Sequence, residues 1–119
     1  MPVLDAGAPI LISEEQEQID FCRWMRMQHP KIKFFAIPNG GARNIVTATR
    51  LKMGGVTAGV PDLFIPSLHL FIEMKRKKGS VTSKEQKEWI EYLISCGYKA
   101  LICKGFDEAI EAVKKELLK

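Results

Sequence analysis

The sequence is poor in the residues that build zinc sites and disulfide frameworks. Its 119 residues include only three cysteines and two histidines, and no two cysteines form a CxxC pair. His29 and His69 stand alone and match no zinc-ligand spacing. The start of the chain lacks the basic and apolar segments of an export signal, so we expect reduced core thiols in a cytoplasmic protein. These thiols are Cys22, Cys96 and Cys103.

Long apolar runs and a strong excess of one charge are also absent. Apolar runs extend over only a few residues, so no membrane-spanning helix is expected. Lys and Arg number 18 against 14 acidic residues, and this net charge of +4 permits nucleic acid as a partner without requiring it. The 46% hydrophobic and 27% charged content is typical of a folded domain. We expect one domain over 1–119, with 1–12 as an N-terminal arm.

The order of predicted elements indicates an α/β fold. Capping, apolar periodicity and β-branched or aromatic runs each mark a segment. The predicted helices cover 13–28, 42–53, 83–96 and 106–118, and the predicted strands cover 33–37, 62–65, 69–75 and 98–103. The last helix carries an apolar stripe of Phe106, Ala109, Ile110, Val113 and Leu117. This order implies a mixed central sheet flanked by helices.

Charged residues occur in a strand that is otherwise apolar. Alternation along 69–75 places Phe71, Glu73 and Lys75 on one face of that strand. The hairpin should bring Asp62, at the start of the preceding strand, beside Glu73. Carboxylates this close repel each other unless a cation lies between them. Oxygen ligands without histidine or cysteine suit Mg²⁺ or Mn²⁺, and the Lys75 ammonium is suited to stabilise charge developing on a phosphate.

Two predicted helices direct polar residues toward this hairpin. Glu14 shares a helix face with the apolar Phe21, although it equally suits a residue that stabilises the positive end of the helix dipole. Gln86 precedes the inward stripe at Trp89 and should point to the hairpin, but it is also the third residue of a capping box begun by Ser83. The two roles are alternatives, and both can hold only if the side chain moves between them.

Basic residues surround the expected site. Beside carboxylates and a metal, such a surface is typical of a track for a phosphate backbone, although alone it is more often a solvated face. A glycine pair at Gly40 and Gly41 permits close backbone approach, and Asn39 and Arg43 are suited to phosphate contacts. The other basic residues expected around the site are Arg50, Lys52, Arg76, Lys77, Lys78, Lys84 and Lys87.

Five short motifs occur in the order of a known nuclease family. The segment 59–62, Gly-Val-Pro-Asp, and the segment 72–75, Ile-Glu-Met-Lys, resemble the P-D…(D/E)-x-K signature of a large nuclease superfamily. The remaining motifs are Glu14-x-x-x-Gln18, Pro38-Asn39-Gly40-Gly41 and Ser83-x-x-Gln86. With all five in order, residues 13–113 resemble the virus-type replication-repair nuclease (VRR-NUC) domain.

The resemblance implies a restriction-endonuclease-like αβββαβ core that hydrolyses DNA phosphodiester bonds with Mg²⁺ or Mn²⁺. By that likeness Asp62 and Glu73 are metal ligands, joined by the backbone carbonyl of Met74. Lys75 is the catalytic lysine by the same likeness. No residue among these departs from the family pattern, so an active endodeoxyribonuclease is expected.

The resemblance also assigns the helix residues and the biological setting. Glu14 matches the helix acid, acting on the metal directly or through water, with Glu15 and Glu17 as register alternatives. Gln86 matches a glutamine that supports the attacking water. The chain is similar to stand-alone members in bacteria and phage-infected cells, which implies a homodimer that cuts branched DNA such as four-way junctions. The alternatives are a non-catalytic DNA-binding accessory module, and a nuclease acting on plain duplex or flap DNA.

Overall fold

The computed structural model has the predicted order of helices and strands. It describes residues 12–38 and 44–119. The bounds in the described ranges are α1 Glu14–Gln28, β1 Phe35–Ala36, α2 Ile45–Met53, β2 Leu63–Ile65, a 3₁₀ helix at Pro66–Leu68, β3 Leu70–Lys75, α3 Lys84–Ser95, β4 Lys99–Lys104 and α4 Phe106–Leu117. The arm predicted at 1–12 lies outside these ranges except for the exposed Ile12.

The four strands form one mixed sheet in the order β1-β2-β3-β4. β1 pairs antiparallel with β2, and β2 pairs antiparallel with β3. β4 runs parallel to β3, which a tight turn cannot achieve, so α3 makes the crossover between them. The mixed sheet flanked by helices, predicted from the sequence, is confirmed.

Alternation along β3 separates the core from the face that carries charge. Leu70, Ile72 and Met74 are fully buried, and each side chain of this kind stabilises the fold by roughly 1.5–3 kcal/mol on burial. Their partners in the core come from α1 and α4 and include Phe21, Met25, Ala109 and Val113. Because successive strand residues point to opposite faces, Phe71, Glu73 and Lys75 lie on the other side of the sheet.

A row of aromatic rings fixes the register of the first three strands. Phe35 on β1, Phe64 on β2 and Phe71 on β3 are successive partners across the sheet. Their ring centroids are 5.8 Å and 4.2 Å apart along the row. Cross-strand aromatic pairs contribute roughly 0.2–1 kcal/mol each and make a slip of one residue costly. This register determines which polar residues meet at the end of the hairpin.

Local sequence explains where the helices begin. The Ser13 hydroxyl accepts a hydrogen bond from the Gln16 amide at 3.1 Å, which caps α1. The Asn44 side chain caps α2 in the same way, through the Thr47 amide at 2.8 Å. Such caps contribute about 1 kcal/mol each. The N-cap position of α4 is Gly105, which has no side chain to act as a cap, so the first amides of this helix depend on a residue from elsewhere in the chain.

Several predicted bounds of strands and turns were wrong. β1 is two residues long rather than the five predicted over 33–37. The predicted Pro66-Ser67 turn is a 3₁₀ helix that continues to Leu68. His69, predicted to begin the strand, adopts a left-handed conformation with φ of 50° and closes that turn. β3 therefore begins at Leu70.

Two predicted core positions were also wrong. Cys96 is exposed at the C-terminal end of α3, whereas Cys103 is buried and Cys22 is half-buried; all three are free thiols. On α4, Leu117 is 40% exposed, while Ala112 is buried in the core. The buried face of α4 therefore includes Ala112 in place of Leu117. The side chain of Ala112 is too small to indicate from the sequence that it is buried.

β4 forms one edge of the sheet, and lysines stand at both of its ends. Lys99 pairs with Glu116 of α4. At the other end, the Lys104 amide donates a hydrogen bond to the Glu108 carboxylate at 2.9 Å. One backbone amide of this edge strand is therefore satisfied by a side chain of α4.

Candidate active site

The register of β2 and β3 brings two carboxylates together. Leu63 pairs with Ile72, so continuing the ladder by one residue places Asp62 opposite Glu73. Asp62 Oδ2 accepts a hydrogen bond from the Met74 amide at 2.8 Å, which holds its carboxylate against β3. The proximity predicted for Asp62 and Glu73 is present in the structure.

A third carboxylate reaches the same point from α1. Glu14, Asp62 and Glu73 each offer an oxygen, and these oxygens all lie within 4.8 Å of one another. Glu73 Oε1 is buried and receives no hydrogen bond from the described residues. A buried carboxylate oxygen that accepts no hydrogen bond from the described residues, and that lies near two further carboxylates, suits a hard divalent cation such as Mg²⁺ or Mn²⁺. The residues present therefore fit the metal that this kind of site requires.

Burial raises the pKa of all three carboxyl groups. It is the main reason that the pKa of Glu73 rises from 4.5 to about 8; the negative charge of Asp62 adds to the rise and Lys75 opposes it. Burial likewise raises the pKa of Asp62, against the lowering effect of the Met74 amide. The pKa of Glu14 is raised by burial and lowered in part by Lys75. A cation bound among these groups would restore their charged forms.

The raised pKa of Glu73 predicts how stability varies with pH when metal is removed. Between about pH 4.5 and 8 the native state keeps a proton that the unfolded chain has lost, so the free energy of unfolding falls as pH rises. In EDTA we expect the unfolding midpoint near pH 8 to be lower than near pH 6 by at least ~4 °C. Glu73→Gln should reduce this difference. An unchanged difference in the variant would contradict the assignment to Glu73.

Lys75 is held by acceptors from three directions. Its Nζ donates to the Val81 carbonyl at 3.1 Å and to Gln86 Oε1 at 2.9 Å, and lies 3.8 Å from Glu73 Oε2. Its side chain is 7% exposed. An ammonium with its protons directed in this way is fixed in place beside the carboxylates. The Val81 contribution was missed from the sequence, because a backbone carbonyl has no residue-type signature.

Gln86 serves both of its predicted roles at once. Its Oε1 accepts from the Ser83 amide at 2.9 Å, and its own amide donates to the Ser83 hydroxyl at 3.1 Å, which completes the capping box of α3. The same Oε1 accepts from Lys75, while Nε2 donates to Glu73 Oε2 at 3.1 Å. The expectation that the side chain must move between the roles was wrong, because an amide oxygen has two lone pairs.

Glu17, one of the alternatives for the helix acid, binds the start of α4 and does not belong to the carboxylate cluster. It is 2% exposed, and its Oε1 accepts a hydrogen bond from the Phe106 amide at 3.3 Å, at the start of α4. A carboxylate here complements the positive end of the helix dipole. Glu15 is exposed on α1. Of the three candidates, Glu14 is the one that belongs to the carboxylate cluster.

Glycine is required at Gly105 for this capping contact. Gly105 has φ of 88°, and an ideal Cβ there would lie 2.7 Å from Lys77 Cγ and 2.8 Å from Glu17 Oε2. The Lys77 stem therefore covers the capping site, and its Nζ pairs with Asp107 at 3.0 Å. The spacing of Glu17, Phe21 and Met25 along one helix face was the signal in the sequence for a buried Glu17.

The basic residues around the site differ in whether their side chains already bind an acceptor within the protein. Arg76 donates to the Gly79 carbonyl at 2.9 Å, and Lys77 is paired with Asp107. Lys78, Lys84 and Lys87 are exposed on the loop and on α3. The predicted phosphate-contacting residues of the glycine loop lie outside the described ranges; they are Asn39, Gly40, Gly41 and Arg43.

Comparisons with known proteins agree with this geometry. The VRR-NUC domain model matches residues 8–107. A solved structure described as a VRR_NUC domain protein is similar, with a TM-score of 0.77 and 29% sequence identity, over 92% of this chain and 92% of that chain. No curated protein matches the chain. The chain belongs to the VRR-NUC domain family, which implies a nuclease of the PD-(D/E)xK type with DNA as its substrate. Nuclease domains of this type are metal-dependent.

None of the helices in residues 12–38 and 44–119 combines the length and the hydropathy needed to cross a bilayer.

Proposed function

We propose that this protein is a structure-selective DNA endonuclease that requires Mg²⁺ or Mn²⁺ and cuts branched DNA, such as four-way junctions, as a homodimer. One observation carries the catalytic part of the proposal. The oxygens of three carboxylates lie within 4.8 Å of one another, next to a buried lysine ammonium. A domain that only binds DNA has no need of buried carboxylates, which are costly to desolvate. We further propose a single domain and a cytoplasmic setting, in a bacterium or a phage-infected cell.

The metal would be held by Asp62, Glu73 and the Met74 carbonyl, with Glu14 acting directly or through water. When bound, such an ion polarises a phosphate oxygen and acidifies a water molecule. The chain's own residues supply the rest of the chemistry. Lys75 presents a fixed positive charge to the oxygens of the scissile phosphate, where negative charge grows in the transition state.

In this proposal Gln86 positions two neighbouring side chains and orients the attacking water. It holds Lys75 and Glu73 at a fixed separation by accepting from one and donating to the other. Fixing both groups before DNA arrives lowers the reorganisation needed during the reaction. An amide at this point is also suited to orient the attacking water.

The DNA track is proposed on the side of the β3–α3 loop. Arg76, Lys77 and Lys78 lie on that loop, directly after Lys75 in the sequence. The glycine loop, with Asn39, Gly40, Gly41 and Arg43, is proposed as a second contact. Contacts of this kind bind the phosphate backbone without reading base sequence, which supports selection by DNA shape.

The decisive experiment incubates the purified protein with labelled DNA structures in Mg²⁺, Mn²⁺ or EDTA. We expect cleavage of the four-way junction in either metal and none in EDTA. Equal cleavage of plain duplex, or a preference for flaps, would replace the branched substrate. Binding without cleavage in both metals would instead establish an accessory DNA-binding module.

A carboxamide series along the first turn of α1 tests which acid belongs to the site. Glu14→Gln should lower the cleavage rate by roughly tenfold or more, since it removes one charge that stabilises the ion. Glu15→Gln, a neighbouring exposed position on the same turn, is the matched control and should leave the rate unchanged. Equal effects of the two variants would show that Glu14 acts only through the helix dipole.

A further inference from the structure

Helix α2 presents apolar side chains to solvent and buries none. Ile45, Val46 and Met53 are 85%, 70% and 83% exposed. Helices of ~12–15 residues or fewer are marginal in water without packing, and α2 has nine residues. Its exposed apolar surface is therefore available to a partner that lies beyond the contacts described within this chain.

Helix α3 borders a cavity whose lining is aromatic and acidic, and this lining complements the apolar and basic surface of α2. A cavity of about 460 Å³ lies between α3 and the segment that follows α2, and its lining includes Glu85, Glu88, Trp89 and Tyr92. The two aromatic rings meet edge to face with centroids 5.7 Å apart. The lining contains two acidic residues and no basic one. We call this cavity the α3 groove.

The charges of the two surfaces match. α2 contains Arg50 and Lys52 in its last turn and no acidic residue. The α3 groove would place Glu85 and Glu88 against them, while Trp89 and Tyr92 receive Val46 and Met53. Glu88 also lies 3.9 Å from Lys84, an exposed pair too weak to neutralise the groove.

The connection between the two surfaces suggests that they belong to one symmetric contact. α2 ends at Met53, and Thr57 and Ala58 already line the α3 groove. Since the helix and the groove are neighbours on one molecule, a two-fold axis beside residues 54–58 would seat the helix of each copy in the groove of the other. Such an exchange is closed and self-complementary.

We propose that the α3 groove binds α2 of a second copy of this chain, so that two such contacts form the homodimer. This inference rests on the proposed dimer and specifies its interface. Apolar anchors from an amphipathic helix entering an aromatic groove are a common mode of recognition. The acidic rim then fixes the direction and the partner of the helix.

A charge exchange tests the interface. One variant carries Glu85→Lys and Glu88→Lys, and the other carries Arg50→Glu and Lys52→Glu. Each alone places like charges in both contacts of its homodimer and should remain near the monomer mass of 13.4 kDa by light scattering. Mixed in equal amounts, the two variants restore opposite charges in both contacts and should give twice that mass.

Two controls separate folding from association. Met53→Glu should also give a monomer, whereas Met27→Glu, an equally flexible exposed methionine on α1, should leave the dimer intact. Circular dichroism confirms that each variant is folded. The inference would be overturned by a wild-type monomer, by either charge variant remaining a dimer on its own, or by a mixture of the two variants that stays monomeric. Mass is measured without DNA or metal, so a failure of cleavage is a separate result.

Discussion

Glu73→Gln is expected to abolish DNA cleavage while making the metal-free protein more stable. The substitution keeps the size of the side chain and an oxygen that can accept from Gln86 Nε2, but it removes a ligand charge. A bound metal ion stabilises the transition state by several kcal/mol, and loss of this stabilisation lowers the cleavage rate roughly a thousandfold. The neutral amide also ends the repulsion with Asp62 that helps to raise the pKa of Glu73 to about 8.

Two measurements distinguish this outcome from simple damage to the fold. Cleavage of a labelled four-way junction in Mn²⁺ gives the rate, and thermal unfolding in EDTA near pH 8 gives the stability. Mn²⁺ should raise the unfolding midpoint of the wild type and leave Glu73→Gln nearly unaffected, because only a state that binds the ion is stabilised by it. Cleavage by Glu73→Gln at the wild-type rate, or a lower midpoint in EDTA, would refute the assignment.

Gly59→Ala should destabilise the protein and displace α3 from the site. Gly59 has φ of 90°, and an ideal Cβ there would lie 2.6 Å from the Glu85 carbonyl carbon. This contact is with backbone, so a side-chain rotation cannot relieve it. The left-handed conformation costs about 1–2 kcal/mol, and the overpacking costs about 1–3 kcal/mol. Because Gln86 follows Glu85, a shift of the helix would also loosen the contacts to Lys75 and Glu73.

Gly55→Ala is the matched control for this prediction. Gly55 has φ of 104°, but nothing lies within 4 Å of the position that a Cβ would occupy. The control therefore carries the conformational cost without the clash, and its unfolding midpoint should fall by less than that of Gly59→Ala. Only Gly59→Ala should also lose cleavage activity. Equal losses of stability in the two variants would show that contact with α3 contributes nothing.

The hairpin and its charged residues were predictable because they depend on local rules. Alternation along 69–75 placed Glu73 and Lys75 on one face, and the short connection to the preceding strand brought Asp62 beside them. These inferences need only the period of a strand and the antiparallel pairing of a hairpin. The register itself, set by Phe64 and Phe71, leaves Asp62 just outside the regular strand yet still opposite Glu73.

What sequence reasoning missed depends on tertiary contacts. The buried Glu17 accepts a hydrogen bond from the Phe106 amide at the start of α4, and 89 positions separate the two residues in the sequence. The Val81 carbonyl approaches Lys75 only after the β3–α3 loop has folded back. Gln86 was assigned two competing roles because a linear motif does not reveal that its amide oxygen accepts from Ser83 and Lys75 at once, while its amide nitrogen donates to Glu73.

The lysines at the two ends of β4 limit how copies of this chain can associate. In the antiparallel register that would pair all six residues of two exposed β4 strands, Lys99 of each copy would face Lys104 of the other. Like charges directly opposite one another oppose such pairing, and Glu108 already occupies the Lys104 amide. Continuous growth of the sheet from molecule to molecule is thereby discouraged at this border, which favours small, finite assemblies over fibres.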